Sequence, residues 1–429
     1  MRRIGVGIIG FGTVGTGVVS ALLKRKKLLA KRGGFIPELK VVCDRDLTRR
    51  RKIRLPSGLL SDNPRSVLEN PEVDIVAELI GGTEEAGSFI LEAFQKGKSV
   101  VTANKALLAE KGELLLSAAA KYGCHFGFEG SVGGAIPIIR TIKESFVANH
   151  ILRLYGILNG TTNFILTKMS EEKVTLSTAL KEAQQRGFAE REPYLDLSGK
   201  DSSHKLSVLA TLITGRFFPA KSILTEGIEK ISPEDLRYAA ELGYQVKLLS
   251  LFKAKPSRVI NLATYPALIP KKHILSSVGG VANAIFMTGD LAGESLLFGQ
   301  GAGMNPTASS VISDIVSIGR YILYGVPPTV NEPVAKAEAI EHNLESRYYF
   351  RFTVLDQPGV LAKIAEILGN AGISIASCIQ KEERPKRAVP VVMLTHRAKE
   401  FSVREAIARI DQLPVVKAKT VLFRLALEG

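Results

Sequence analysis

A chain of 429 residues with 45% hydrophobic content is globular and long enough for two or three domains with real cores. No apolar run reaches the ~18 residues of a membrane span. Cys43, Cys124 and Cys378, far apart and odd in number, fit a reducing cytoplasm better than a disulfide framework, and the six histidines show no metal-ligand spacing. The formal charge of +15 is carried largely by KRKK at Lys24–Lys27 and RRRKIR at Arg49–Arg54. Such runs can be a solvated face, an attractor for an anionic cofactor or a nucleic-acid patch, but no aromatic residues interleave them and no nucleic-acid motif accompanies them. The opening MRRIGVGIIGFG has the basic-then-apolar order of a secretory leader, yet its glycines recur and no small-residue cleavage site follows. A cytoplasmic protein with neither nucleic-acid nor membrane partner is expected.

The first predicted elements are an apolar strand, a glycine turn and a helix in RRIGVGIIGFGTVGTGVVSALL. The turn Gly10-Phe11-Gly12-Thr13-Val14-Gly15 fits GxGxxG in the strand–turn–helix context that the motif requires. Gly10 would allow the tight turn, Gly12 the close approach of a pyrophosphate, and Gly15 the packing of helix on strand, with the helix N–H groups offered to the phosphates. Alone, the motif could equally be a glycine-rich packing turn. Four more short apolar strands follow, ELKVVCD, VDIVAELIGG, KSVVTANK and CHFGFEGSVGG, separated by helical stretches. This is the alternation of a doubly wound parallel sheet, whose ligands lie outside the carboxyl ends of the strands. Those ends are Asp44, Gly81 with Gly82, Asn104 with Lys105, and Glu129. An acid at Asp44 would accept a ribose 2′-hydroxyl, whereas Arg45 and the basic run behind it, including Arg49 and Arg50, could neutralise a 2′-phosphate. NADP is the expected cofactor, with NAD still possible.

After Pro137 the pattern changes to strand, polar turn and helix in ILRLYGILNGTTNFILTKM, with longer apolar segments to about Tyr324. Within AEREPYLDLSGKDSSHK, Pro193, Ser198 and Gly199 break the chain into turns, and DSSHKLSVLATLI reads as a helix with Asp201 and Lys205 on one face. An acid and an amine four residues apart could be a surface ion pair or a proton-transfer site. Beyond YGVPPTVNEPVAK the pattern becomes strand, helix, strand, strand, helix, strand, a βαββαβ unit of ferredoxin-like type. The expected organisation is therefore an α/β chain. It has a Rossmann domain at 1–136 to which 300–325 return, an α/β substrate-binding and dimerisation domain at 137–299, a linker at 326–346 and a C-terminal module at 347–429.

Taken together, GFGTVG, VVTANKALLA, FEGSVGGAIPII, GILNGTTNFIL, AEREPYLDLSGKDSSHKL and FGQGAGMNPTASSVISDI resemble the homoserine dehydrogenases, in order and over nearly all of residues 1–325. DQPGVLAKIAEIL and NAGISI likewise resemble an ACT domain. The first resemblance implies reversible NAD(P)-dependent interconversion of L-homoserine and L-aspartate 4-semialdehyde, on the route to threonine, methionine and isoleucine. It implies Lys205 as proton donor, Asp201 beside it, and Lys105 as the lysine of the TANK motif. Either lysine could be the donor. Glu190 and Asp196 fall on substrate-binding carboxylates, and Gly82 and Gly303 are further cofactor contacts. Glu129 with the backbone carbonyls of Val132, Gly134 and Ile136 would hold a monovalent cation, expected to be sodium; the alternative is a conformationally demanding glycine turn. The pattern departs from the family's usual form at Glu192, where an aspartate is commoner before the proline.

The ACT resemblance implies an amino-acid effector such as threonine near Asp356–Gly359 and Asn370, or a module used only for subunit pairing. A homodimer or homotetramer is expected. Removal of the chain beyond about Val334 would then leave catalysis and abolish inhibition. A catalytically idle amino-acid sensor and another NADP-linked amino-acid or aldehyde dehydrogenase are the competing readings.

Overall fold

Six parallel strands make up the N-terminal sheet: β1 (Arg3–Ile9), β2 (Ile36–Cys43), β3 (Leu60–Ser61), β4 (Ile75–Glu78), β5 (Ser99–Thr102) and β6 (Phe126–Gly127). Their order is β3-β2-β1-β4-β5-β6, so strand order reverses between β1 and β4, where a doubly wound sheet opens its ligand crevice. The computed structural model describes residues 1–427 apart from 50, 52, 256–257, 329–334, 337–344 and 382–387. Arg50 and Lys52 of the basic run and most of the expected linker lie outside these residues.

The strands are apolar on both faces, as a sheet covered by helices on each side demands. Ile4, Val6, Ile8, Ile75, Ala77 and Val101 face one core with the helices Thr13–Lys24 and Met304–Tyr324. Ile9, Val41, Val76 and Val100 point the other way, against the helices Glu84–Gln95 and Lys105–Lys121. The helix Met304–Tyr324 thus adds Ala308, Val311, Ile312, Ile315 and Ile318 to a core that begins at Ile4.

The chain divides into two compact units. The first comprises Met1–Gly160, Lys200–Ile223 and Ala282–Ala339; the second comprises Thr161–Gly199, Leu224–Val281 and Ile340–Gly429. Besides the parallel sheet, the first unit holds the antiparallel strands Ile151–Ile157, Ala282–Gly289 and Gly293–Gln300 and the helix Lys200–Thr214.

In the second unit the antiparallel pair Tyr244–Lys255 and Arg258–Pro270 continues into the C-terminal module, because Ala267 and Leu268 pair in parallel with Arg424 and Leu425 of the last strand, Val416–Leu425. The module is βαββαβ: Tyr348–Leu355, Val360–Asn370, Ile375–Ile379, Ala388–Thr395, Glu400–Ile410 and Val416–Leu425. Its two helices cover one face of the sheet through Val360, Ile364, Leu368, Val403, Ala406 and Ile410. Tyr349, Val392, Leu394, Phe423 and Leu425 from the other face share a core with Phe164, Ile165, Met169 and Leu236. Boundaries drawn at 136, 299 and 346 mark changes of sequence pattern, whereas the packing joins residues 348–425 to segments from the middle of the chain.

Candidate active site

The glycine turn joins β1 to the helix Thr13–Lys24. Gly10 takes φ +107°, in the region that side chains rarely adopt, and a Cβ on Gly15 would stand 2.0 Å from the Gly10 carbonyl oxygen, so any side chain there would force helix and strand apart. Gly12, the N-cap residue, has open space where its Cβ would be, provides no side-chain cap and is followed by no acid in the first turn. The positive end of the helix is therefore left to an anion, which fits a pyrophosphate. Thr13 is exposed and Val14 half-buried beside it.

Asp44, directly after β2, turns back to this loop. Its Oδ2 accepts the Phe11 N–H at 2.7 Å, and its Oδ1 lies 3.2 Å from the Arg51 guanidinium. Arg51 also donates to the Phe11 carbonyl at 3.0 Å and stacks over the Phe11 ring. Arg45 is exposed and paired with Glu85. At the next strand end, the buried Glu78 accepts from Thr102 Oγ1 at 2.6 Å and from the Ile80 N–H at 2.9 Å. Asn104 caps the helix Lys105–Lys121 by accepting from the Leu107 N–H and donates to the Gly82 carbonyl at 2.6 Å.

The third strand end brings Lys105 to the helix Lys200–Thr214. Lys105 Nζ lies 2.9 Å from Asp201 Oδ1, and Lys205 Nζ lies 2.7 Å from Asp201 Oδ2. Lys205 also donates to the Leu158 carbonyl at 2.6 Å, and the Asn159 amide donates to Asp201 Oδ2 at 2.8 Å. The side chains of Asp201 and Lys205 are only 7% and 8% exposed, which excludes a solvated surface pair, while that of Lys105 is 40% exposed. Burial pushes the Asp201 carboxyl up, but Lys205, Lys105 and the Asn159 amide outweigh it and hold the group well below the usual carboxylate range.

Glu129, at the end of β6, is buried, and its oxygens accept the N–H groups of Ile139 and Arg140, each at 2.8 Å. Its own N–H donates to Asp314 Oδ2 at 2.8 Å. Burial pushes both acids up, Asp314 to about 7. The Ile139 and Arg140 N–H groups and the charges of Arg140 and Lys143 pull the Glu129 carboxyl down without reversing the effect of burial. Val132, Gly134 and Ile136 are buried or nearly so, and the Gly134 and Ile136 carbonyls accept from Ser310 Oγ and the Ile138 N–H. Carboxylate and carbonyl oxygens are hard donors of the kind a hard cation takes. Gly303, at φ +118°, opens the helix Met304–Tyr324.

Glu190 and Asp196 belong to the second unit. Glu190 is exposed, and Asp196, in the short helix Tyr194–Leu197, is half-buried.

Residues 137–316 match the homoserine dehydrogenase family, residues 10–129 its NAD-binding domain and residues 348–415 the ACT domain. The chain is 37% identical over 432 residues to a homoserine dehydrogenase of Neisseria gonorrhoeae, covering 99% of both chains. It is 38% identical over 439 residues to that of Pseudomonas aeruginosa, again covering 99% of each. The chain belongs to the homoserine dehydrogenase family. A solved homoserine dehydrogenase from Thiobacillus denitrificans is 38% identical and superposes with a TM-score of 0.93, covering 100% of this chain and 99% of that one. As a homoserine dehydrogenase, the chain is an NAD(P)-dependent oxidoreductase acting on a CH–OH group.

Three residues in these contacts were not singled out from the sequence. Asn159 stands inside GILNGTTN, where its polarity between apolar residues was a usable signal. Arg51 was one arginine among several in a charged run, and only the fold shows it turned inward onto Phe11. Asp314 lies 185 residues from Glu129, and nothing local pairs them.

Proposed function

We propose that the protein interconverts L-homoserine and L-aspartate 4-semialdehyde, with Lys205 giving and taking the proton of the reacting oxygen, Asp201 positioning it, and Lys105 supplying a second positive charge. The observation that carries this reading is the pair of lysines held by one buried carboxylate. Two ammonium groups meet at this carboxylate, and an ammonium is suited to an oxygen on which negative charge develops. A bound nicotinamide supplies the hydride chemistry. The chain's own task is to hold the oxygen near an ammonium that can stabilise its charge and exchange a proton with it. Asp201, its carboxyl held well below the usual carboxylate range, orients both lysines. Glu190 and Asp196 are assigned to the α-ammonium of the substrate.

The open helix N-terminus at Gly12 supports binding of the cofactor pyrophosphate. Arg45, exposed and paired with Glu85 at the surface, is available to a 2′-phosphate, which favours NADP. Glu129 with the carbonyls of Val132, Gly134 and Ile136 is assigned to a monovalent cation, with sodium preferred. In the C-terminal module a cavity of about 140 Å³, lined by Leu355, Asp356, Gln357, Gly359 and Gln380, supports binding of a small amino acid such as threonine. Homodimers or homotetramers fit an ACT-type module that pairs between subunits.

The test is spectrophotometric. Incubation with L-homoserine and each oxidised nicotinamide cofactor should raise the absorbance of the reduced ring, faster with NADP. No homoserine-dependent signal with either cofactor would refute the proposal.

A further inference from the structure

Outside the lysine–aspartate site, a second cluster of buried charge lies in the second unit. Arg424, in the last strand, is fully buried. Its guanidinium meets Glu226 twice, at 2.8 and 3.1 Å, and Glu400 twice, at 2.5 and 3.0 Å. Arg404 contacts the same two glutamates, Tyr348 donates to Glu400 at 2.9 Å, and the Arg424 guanidinium stacks 4.3 Å from the centre of the Tyr265 ring. Two arginines and two glutamates make a neutral group whose charges are mutually satisfied. Removing one member strands the others, so the group is rigid by construction.

Glu226 does not belong to the C-terminal module. It follows the short strand Leu224–Thr225, which pairs with Ala263 and Thr264, and its N–H donates to the Thr264 carbonyl at 2.8 Å. The next residues press on the turn that ends the helix Tyr194–Leu197. The Ile228 N–H donates to the Leu197 carbonyl at 2.8 Å. A Cβ on Gly227 would stand 2.2 Å from that same carbonyl oxygen, so the two backbones touch directly. A Cβ on Gly199, at φ +78°, would lie 3.1 Å from the Glu226 carbonyl oxygen.

We infer that Arg424 is a positioning residue for the substrate segment: by clamping Glu226 to Glu400 it fixes Glu226–Ile228, and through that backbone the turn Asp196–Gly199. The inference rests on the reading of Asp196 as a substrate carboxylate. It gives the C-terminal module a standing part in substrate binding, whatever effector it binds, because the guanidinium that holds the substrate turn is supplied by its last strand. The bidentate geometry requires arginine, since a lysine cannot grip two carboxylates at once through a planar fork.

The test compares Glu226→Gln and Arg424→Lys with the parent enzyme in steady-state kinetics and thermal unfolding. Glu226→Gln keeps the size of a half-exposed side chain and is expected to fold. Both variants should raise KM for homoserine by roughly tenfold, the worth of one charged hydrogen bond, with KM for the nicotinamide cofactor within about twofold of the parent's. A role confined to stability would lower the unfolding temperature and leave KM for homoserine unchanged, and that result in Glu226→Gln overturns the inference. Asp196→Asn is measured alongside. If it leaves KM for homoserine unchanged while Glu226→Gln raises it, the assignment of Asp196 fails and the clamp stands; the reverse pattern overturns the clamp alone.

Discussion

Lys105 and Lys205, one hundred residues apart, hold opposite oxygens of a single carboxylate: Lys105 is 2.9 Å from Asp201 Oδ1, and Lys205 is 2.7 Å from Asp201 Oδ2. Replacing the carboxylate while keeping its shape should separate its electrostatic work from its packing. Asp201→Asn is expected to lower turnover by roughly 10²-fold or more, within the range for disturbing a positioned acid or base. It should also destabilise the fold by about 3–5 kcal/mol, because the buried Lys205 loses its counter-charge. Since the Asp201 carboxyl is depressed in the folded state, its contribution to stability is complete above the ordinary carboxylate range near pH 4 and is lost as pH falls below it. The variant should therefore be less sensitive to acid than the parent, as followed by thermal unfolding from pH 3 to pH 7.

Asp314 behaves in the opposite sense. Its carboxyl, pushed up to about 7 by burial, holds a proton in the folded state that an unfolded chain would have lost near pH 4. Its contribution is complete below pH 4 and is lost as pH rises through about 7. Asp314→Asn keeps an oxygen to accept the Glu129 N–H and removes the titration. Unfolding temperatures measured between pH 4 and pH 8 should fall less steeply with pH in the variant than in the parent.

Truncation after Val334 was expected from sequence pattern to leave catalysis intact. The packing argues otherwise. Tyr349, Val392, Leu394, Phe423 and Leu425 lie in one core with Phe164, Ile165 and Leu236. Large apolar side chains contribute ~1.5–3 kcal/mol each when buried, so losing all of them removes a large part of the ~5–15 kcal/mol that a domain has in total. The truncated chain should aggregate or unfold well below the parent's temperature, and the soluble part should have lost turnover. A monomeric, soluble, fully active 1–334 fragment would contradict this.

The two arginines near Asp44 should act differently. Arg51 braces the glycine turn through Phe11 and Asp44, so Arg51→Ala should weaken NAD and NADP alike. Arg45→Ala should weaken NADP more, through loss of a 2′-phosphate contact. Dissociation constants for both cofactors, from fluorescence titration, distinguish the two roles.

Much of this was legible in the chain. Strand–glycine turn–helix at Gly10–Gly15 and the alternation after it specify a parallel sheet, because period and turn chemistry are local properties. The four-residue spacing of Asp201 and Lys205 placed them on one helix face. The burial of that face could not be read, since a helix carrying three charges in its first turns, Lys200, Asp201 and Lys205, looks solvent-exposed until Leu158, Asn159 and Lys105 are brought to it. The union of the C-terminal module with the middle of the chain was equally hidden. A parallel pairing of Leu268 with Leu425 spans 157 residues and leaves no periodic mark in either strand.

The central claim is that Lys205 handles the proton of the reacting oxygen, and it is tested most directly by the turnover of Lys205→Ala with L-homoserine and oxidised cofactor, followed through nicotinamide absorbance. The account predicts a loss of roughly 10²- to 10⁴-fold, with cofactor affinity nearly unchanged and the folded state verified by thermal unfolding. Turnover near that of the parent in a folded Lys205→Ala variant would contradict it and leave Lys205 as a structural partner of Asp201.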